Sequence, residues 1–275
     1  MKSLLNFVLF LIILISITSC KKEQNDSDLQ EQTLAVDETI AETTFEEISE
    51  IGNQAYKLSV ENLKSSDDLG DRLGDCVTIT LDTTVMPHVL TIDFGEENCL
   101  CRDGKWRRGK IIVTFTGHFH QTGAVITHTL DNYYVNDNWV QGTKVKTNLG
   151  PNINGEPEFT SVVNGSITFN ETGIVINWES EHLRTWIEGY NSIVWWDDVF
   201  LITGNGAHTH SQGGGFTRTI TTPLRRESSC HHIVSGIVET VPLNRPTRIL
   251  DYGDGTCDNL ATLTVGNKTF VIRLH

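Results

Sequence analysis

Two pairs of histidines in this sequence have the spacing that lets side chains on a β-strand share a metal ion. They are His118 with His120 and His208 with His210. Residues i and i+2 of a strand point to the same face, so each pair can chelate, and imidazole suits Zn²⁺ or Cu²⁺. Convergence of both pairs around an open coordination position would make a metal-dependent hydrolase. The alternative is polar alternation on the solvent face of a sheet.

A second candidate metal site is an acidic loop near the C-terminus. Its possible oxygen ligands are Asp251, Asp254, Asp258 and Asn259. Oxygen ligands on a glycine-containing loop suit Ca²⁺, although the spacing is not that of an EF-hand. The alternative is a tight turn in which these side chains accept hydrogen bonds from backbone N–H groups. Apart from Ca²⁺ or Zn²⁺ at these two sites, we expect no cofactor.

One predicted strand carries a row of aromatic and polar side chains. Trp178, Ser180, His182, Arg184 and Trp186 share a face if the strand is regular. An exposed face of this kind would form a glycan-binding platform, whereas a buried one would be cross-strand packing. The sequence contains neither a G-x-S-x-G motif nor a phosphate-binding loop, so nothing local favours catalysis.

The cysteines fall in a partial duplication that covers residues 76–99 and 230–257. Asp93-Phe94-Gly95 and Asp251-Tyr252-Gly253 are each followed, after three residues, by a cysteine. Each copy also begins with a cysteine, which predicts the disulfides Cys76–Cys99 and Cys230–Cys257 in an exported chain. Cys101 has no counterpart in the second copy. It is either a free thiol or a competitor of Cys99 for Cys76.

The first twenty residues predict export and lipid attachment. Lys2 precedes an apolar run from Leu4 to Ile17, and Ile17-Thr18-Ser19-Cys20 has the form of a lipobox. The run is shorter than the roughly 20 residues of a membrane-spanning helix. Residues 1–19 are therefore interpreted as a signal peptide and Cys20 as the acylated first residue of the mature chain.

The charge of the chain argues against nucleic acid as a partner. The formal net charge is −14, and the acids concentrate between the signal peptide and residue 75. Nucleic-acid binding depends on neutralising phosphates with cations, which this composition does not provide. Anionic lipid would not attract such a chain either, so its membrane attachment depends on the acyl chains.

The elements that must position these residues are a tether, one helix and a β-domain. Residues 20–36 are polar and without a period, which predicts a solvated, lipidated tether. Residues 37–75 are predicted as a helix and linker. The helix carries an apolar stripe from Ala41 to Leu58, a capping box at Thr39 and Glu42, and water-facing acids at Glu42, Glu46, Glu47 and Glu50.

Residues 76–275 show strand-like runs about every 10 to 15 residues, separated by turn signals. This pattern predicts a mainly β fold, an antiparallel meander closed as a sandwich or barrel or left as a long curved sheet. Gly173–Trp178 and Leu183–Glu188 are interpreted as two separate strands.

Several of these features together resemble uncharacterised β-rich lipoproteins of Bacteroidota. The lipobox, the short helix, Ile92-Asp93-Phe94-Gly95, the strand opening at Arg107 and the terminal Asp251-to-Asn259 segment carry the resemblance. It extends over nearly the whole mature chain and implies an outer-membrane destination, without implying an activity or a ligand.

The sequence thus predicts a lipid-anchored protein of the cell envelope, on the outer membrane, that is a non-enzymatic binding or structural module. Lys21 follows Cys20, so the commonest inner-membrane retention signal, an aspartate, is absent. Whether it faces the periplasm or the surface is left open. Its partners would be the membrane and a glycan or envelope protein, the latter by β-strand addition. A glycan-binding accessory lipoprotein and a metal-dependent hydrolase are the alternatives.

Overall fold

The computed structural model describes residues 26–60, 72–118, 121–192 and 196–274. The predicted signal peptide, Cys20 and the first tether residues lie outside the described residues. The chain divides into two compact units, residues 1–30 and 31–275. Of the first unit, only the opening turn of a helix is described. No helix in the described part of the chain is both long and apolar enough to cross a bilayer.

The helix α1 spans Asp26–Val60, so it begins earlier than predicted. Residues 26–36 were predicted to be tether because they lack an apolar period, but Asp26 and Asp28 suit the first turn of a helix. The capping box at Thr39 is also wrong, because Thr39 lies in mid-helix and its Oγ1 donates to the Val36 carbonyl at 2.7 Å. The apolar stripe itself is confirmed, since Ala41, Phe45, Ile48, Ile51 and Ala55 are buried.

The strands of the described residues form one open antiparallel sheet that follows chain order, which confirms the predicted meander. Only the short β3 leaves this path, pairing alongside β4. The two segments predicted as separate strands around Ser180 are one continuous strand, β8. The strands are β1 Thr78–Asp82, β2 His88–Asp93, β3 Cys99–Leu100, β4 Trp106–Phe115, β5 Val125–Val135, β6 Asn138–Pro151, β7 Pro157–Thr168, β8 Val175–Glu188, β9 Val199–His210, β10 Gly214–Glu227, β11 Ile233–Pro242, β12 Arg248–Asp254, β13 Leu260–Val265 and β14 Lys268–Arg273.

Within residues 31–275 the sheet bends around α1. Glu38 pairs with Arg248 on β12, and Glu47 pairs with Arg107 on β4. The two glutamates are about 14 Å apart along the helix. The strand order places eight strand spacings between β4 and β12, about 38 Å in a flat sheet. The sheet must therefore curve, and accordingly no residue of α1 from Leu34 to Ser59 is exposed.

The core of the described residues contains two apolar clusters. The larger cluster joins Phe45, Ile48 and Ile51 of α1 to inward side chains of the first half of the sheet, such as Ile111 and Val113. The smaller cluster joins Ala35 to the second half of the sheet. Both form because alternate strand residues are apolar and point towards the helix.

The acidic side chains of α1 point into the molecule, which corrects the prediction that they face water. Glu42 and Glu47 are buried, and Glu46 and Glu50 are partly buried. Removing one partner of such a pair leaves a buried charge and costs about 3 to 5 kcal/mol, so the pairs fix the register of helix on sheet. The pairs are Glu31 with Arg245 and Arg248, Glu38 with Arg248, Glu42 with Arg218, Glu46 with Arg184 and Lys144, Glu47 with Arg72, Lys105 and Arg107, and Glu50 with Arg72 and Arg226.

Candidate functional site

The described histidines of the two pairs do not come together in a shared metal site. His208 and His210 are buried on β9, where their Nε2 atoms lie 3.6 Å from Glu38 and 3.1 Å from Asp37. His118 Nδ1 shares a hydrogen bond with the Tyr56 hydroxyl at 2.9 Å. His120 lies outside the described residues. Glu38 and Tyr56 are about 27 Å apart along α1. The described histidines of the two pairs are therefore well separated, which contradicts the convergence that the hydrolase prediction requires.

The acidic loop of β12 has the geometry of successive turns. Asp251 accepts a hydrogen bond from the Gly253 backbone N–H at 2.9 Å, Asp254 accepts from Thr256 and Asp258 accepts from Leu260. Asn259 instead accepts from Arg273. Across the described residues, no group of three His, Cys, Asp or Glu side chains is arranged to hold a metal ion. The three aspartates among the predicted Ca²⁺ ligands thus serve as turn-forming side chains.

The row of side chains on β8 shares one face, as predicted, but this face is directed at α1. Trp178 is 3% exposed, and its ring stacks on His208 at 4.8 Å between centroids. His182 and Arg184 are buried as well, and Arg184 pairs with Glu46. Trp186 is half-buried and stacks on Phe200. This row of side chains therefore lacks the exposure that a glycan platform requires and packs against α1 instead.

The duplication is a repeated structural turn. The predicted pairs Cys76–Cys99 and Cys230–Cys257 lie at disulfide distance, with Cα separations of 5.9 and 5.8 Å. In the first copy Asp93 accepts from the Gly95 N–H, as Asp251 does from Gly253 in the second, and both glycines have positive φ. Cys101 is a buried free thiol, and burial raises its pKa.

A cavity of about 320 Å³ lies between the C-terminal half of α1 and the inner face of the sheet. This volume is at the lower end of the range for small-molecule sites. Helix residues spaced three and four apart form one wall, and β6, β8, β9 and the end of β10 form the other. The lining residues are Ser49, Glu50, Asn53, Gln54, Lys57, Arg72, Lys146, Arg184, Asp198, Phe200, Arg226, Ser228, Ser229 and His231.

Two polar atoms of the helix wall have no hydrogen-bond partner among the described residues. They are Ser49 Oγ and Asn53 Oδ1, both buried, and Ser49 is only 3% exposed. A buried polar group without a partner costs about 1 to 3 kcal/mol. Both residues line the cavity, so a bound polar molecule would supply the missing hydrogen bonds.

The cavity wall is cationic although the chain is acidic. It carries five lysine and arginine side chains against the carboxylates of Glu50 and Asp198. Glu50 is held by Arg72 at 2.7 Å and Arg226 at 3.0 Å, and burial raises the pKa of Asp198 to about 6. Burial lowers the pKa of Lys146 to about 7, and the nearby charges of Arg184 and Lys144 act in the same direction.

The cavity was not predicted, because Glu50 on its helix wall was expected to face water and the other polar residues of that wall were given no role. Ser49, Asn53 and Lys57 follow one another at intervals of four, which is a polar helix face. The available signal was on the strands, where alternation places Arg184 on the same face as Trp178. An arginine on an apolar strand face predicts an acidic partner beneath it. No protein-family model, curated protein or solved structure matches this chain.

Proposed function

We propose that this protein is a lipid-anchored envelope protein that binds a small polar molecule in the cavity between α1 and the sheet, without transforming it. The lipobox at Cys20 supports the lipid anchor. Lys21, which stands where an inner-membrane retention signal would have an aspartate, supports an outer-membrane location. The observation that carries the binding function is the pair of buried, unpartnered atoms Ser49 Oγ and Asn53 Oδ1 on the wall of a 320 Å³ cavity.

Binding is favoured over catalysis by the geometry of the groups that line the cavity. The lining includes the residue types of acyl-transfer sites, namely serines (Ser228 and Ser229), a histidine (His231) and an aspartate (Asp198). Within the described residues, however, no hydrogen bond joins a serine hydroxyl to His231 or His231 to Asp198. A nucleophile and its base must come within hydrogen-bond reach of each other, and these groups do not show that arrangement.

The cavity is tested by native mass spectrometry and a metabolite screen on the full chain, purified in detergent. Asn53→Phe fills the cavity, whereas Thr219→Phe adds the same ring to an exposed position on the outer face of β10. We expect a molecule to bind the wild type and Thr219→Phe and to be lost from Asn53→Phe, with both variants melting cooperatively. If no compound binds in a way that Asn53→Phe abolishes, the cavity has no binding function.

The anchor is tested on the same preparation by intact mass under denaturing conditions. We expect a chain that begins at Cys20 and carries the added mass of acyl groups. Cys20→Ala should retain the signal peptide and lack the acyl mass. A wild-type chain without lipid would overturn the anchor and leave the cavity proposal standing.

A further inference from the structure

The cations of the cavity wall outnumber the carboxylates that can neutralise them. Glu50 already balances Arg72 and Arg226, and Glu46 is shared between Arg184 and Lys144. Glu50 and Glu46 therefore each serve two cations, while Glu47 adds a second partner for Arg72 and Asp198 lies near Lys57. This arrangement leaves positive charge on the side of the sheet that faces the cavity.

Lys146 is the cation of the cavity wall with least compensation, since the charge of Lys57 acts on the carboxylate of Asp198. Among the described residues, Lys146 has no carboxylate within 4 Å of its Nζ, which instead lies 4.1 Å from the centre of the Phe159 ring. Burial of an ammonium group without a counterion is unfavourable. An anion in the cavity would relieve this cost.

The remaining donors of the wall have the types that bind an oxyanion. Arg184 pairs with Glu46 through one terminal nitrogen, while its Nε has no partner, and its guanidinium lies 4.9 Å from the Phe200 ring centre. A guanidinium fork matches the oxygens of a carboxylate or phosphate. The hydroxyl of Ser49 can donate to the same oxygens.

Resting on the proposed binding function, we infer that the ligand of the cavity is a small organic oxyanion whose carboxylate or phosphate is held by Lys146, Arg184 and Ser49. Asp198, on the same wall, sets the orientation, because the anionic end of the ligand must lie away from it. The neutral end then faces Phe200 and Asn53. The site would discriminate against uncharged molecules of the same size.

The test is calorimetric titration of the full chain with butyrate and inorganic phosphate, against butyramide, the uncharged isostere of butyrate. We expect butyrate or phosphate to bind at least tenfold more tightly than butyramide. Which of the two anions binds more tightly distinguishes a carboxylate ligand from a phosphate ligand. Lys146→Met should weaken oxyanion binding at least tenfold. Lys110→Met, which removes a lysine on the strand face away from α1, should leave binding unchanged.

Two outcomes separate this inference from the function on which it rests. If an uncharged molecule binds and Asn53→Phe abolishes its binding, while neither oxyanion binds, the cavity is a ligand site but the oxyanion inference is wrong. If no compound binds, both fail. Should Lys146→Met not melt cooperatively, Ser49→Ala tests the same contact, because it removes a hydroxyl that has no partner in the described residues and should also weaken oxyanion binding.

Discussion

At the scale of single residues, Gly52 determines how closely α1 approaches β5. A Cβ atom built on Gly52 would lie 2.7 Å from His128 Nε2 and 3.0 Å from its Cδ2. His128 is 1% exposed and cannot swing into solvent. Burial lowers its pKa to about 3, so the ring stays neutral above that pH. The missing side chain of Gly52 is thus a packing requirement rather than a need for unusual backbone angles.

Gly52→Ala should lower the free energy of unfolding by about 1 to 3 kcal/mol, the usual cost of overpacking. In an exposed helix the same change would raise stability by up to about 1 kcal/mol. Urea unfolding at neutral pH measures the difference. In a His128→Ala background the added methyl has space, so Gly52→Ala should there be neutral or stabilising. An equal loss in both backgrounds would contradict the contact.

At the scale of elements, α1 is an amphipathic helix whose polar side is also buried. Its glutamates meet cations from β4, β6, β8, β10 and β12, strands that all run in the same direction. Burial alone would raise the pKa of Glu50, but Arg226 and Arg72 outweigh it and hold that pKa at about 2. The helix and the sheet therefore recognise each other through charge as well as through apolar area.

Glu50→Gln should destabilise the protein in a pH-dependent way. A carboxylate whose pKa is lower in the folded state stabilises above its unfolded pKa, and this contribution disappears as the pH falls towards the folded value. The stability gap between wild type and Glu50→Gln should be largest at neutral pH, at most about 3 kcal/mol. It should narrow between pH 4.5 and about 2.

Urea unfolding at a series of pH values measures this gap. Glu179→Gln, on the exposed face of β8, is the matched control and should show little gap at any pH. A gap for Glu50→Gln that is constant with pH would contradict the ion pair.

At the scale of the whole described chain, each half of the sheet has its own apolar cluster and its own disulfide. Cys99 belongs to the larger cluster, while Cys230–Cys257 joins the loops on either side of β11 and β12. The helix contributes residues to both clusters. Because α1 crosses from one half to the other, we expect the halves to unfold together.

Replacing Cys230 and Cys257 with alanine should lower stability by about 3 to 4 kcal/mol, as expected for a closed loop of this length. Cys101→Ala removes a buried thiol without opening a loop and should cost less. Thermal unfolding measures both, and a single transition should persist in each. Non-reducing peptide mapping checks the pairing, and a Cys99–Cys101 link in the wild type would contradict it.

The β part of the fold was predictable because strand alternation and turn residues act locally. The start of α1 was not, because Glu31 is buried by partners far away in sequence, Arg245 and Arg248. An apolar-period search treats such residues as solvent-facing. The cavity was missed for the same reason, since Ser49 and Asn53 line it only after the sheet has curved over them.

The pairing of Glu38 with Arg248 also constrains the order of events during synthesis. The first partner lies at the beginning of the chain and the second is 210 residues further on. The segment that becomes α1 is therefore synthesised before its partner strands and lacks them until nearly all of the sheet has been made. A fully apolar segment would be prone to aggregate during that interval. The glutamates that become buried in the folded protein would keep this segment hydrated until the sheet is complete. The same side chains thus keep the nascent chain soluble at first and stabilise the folded protein afterwards.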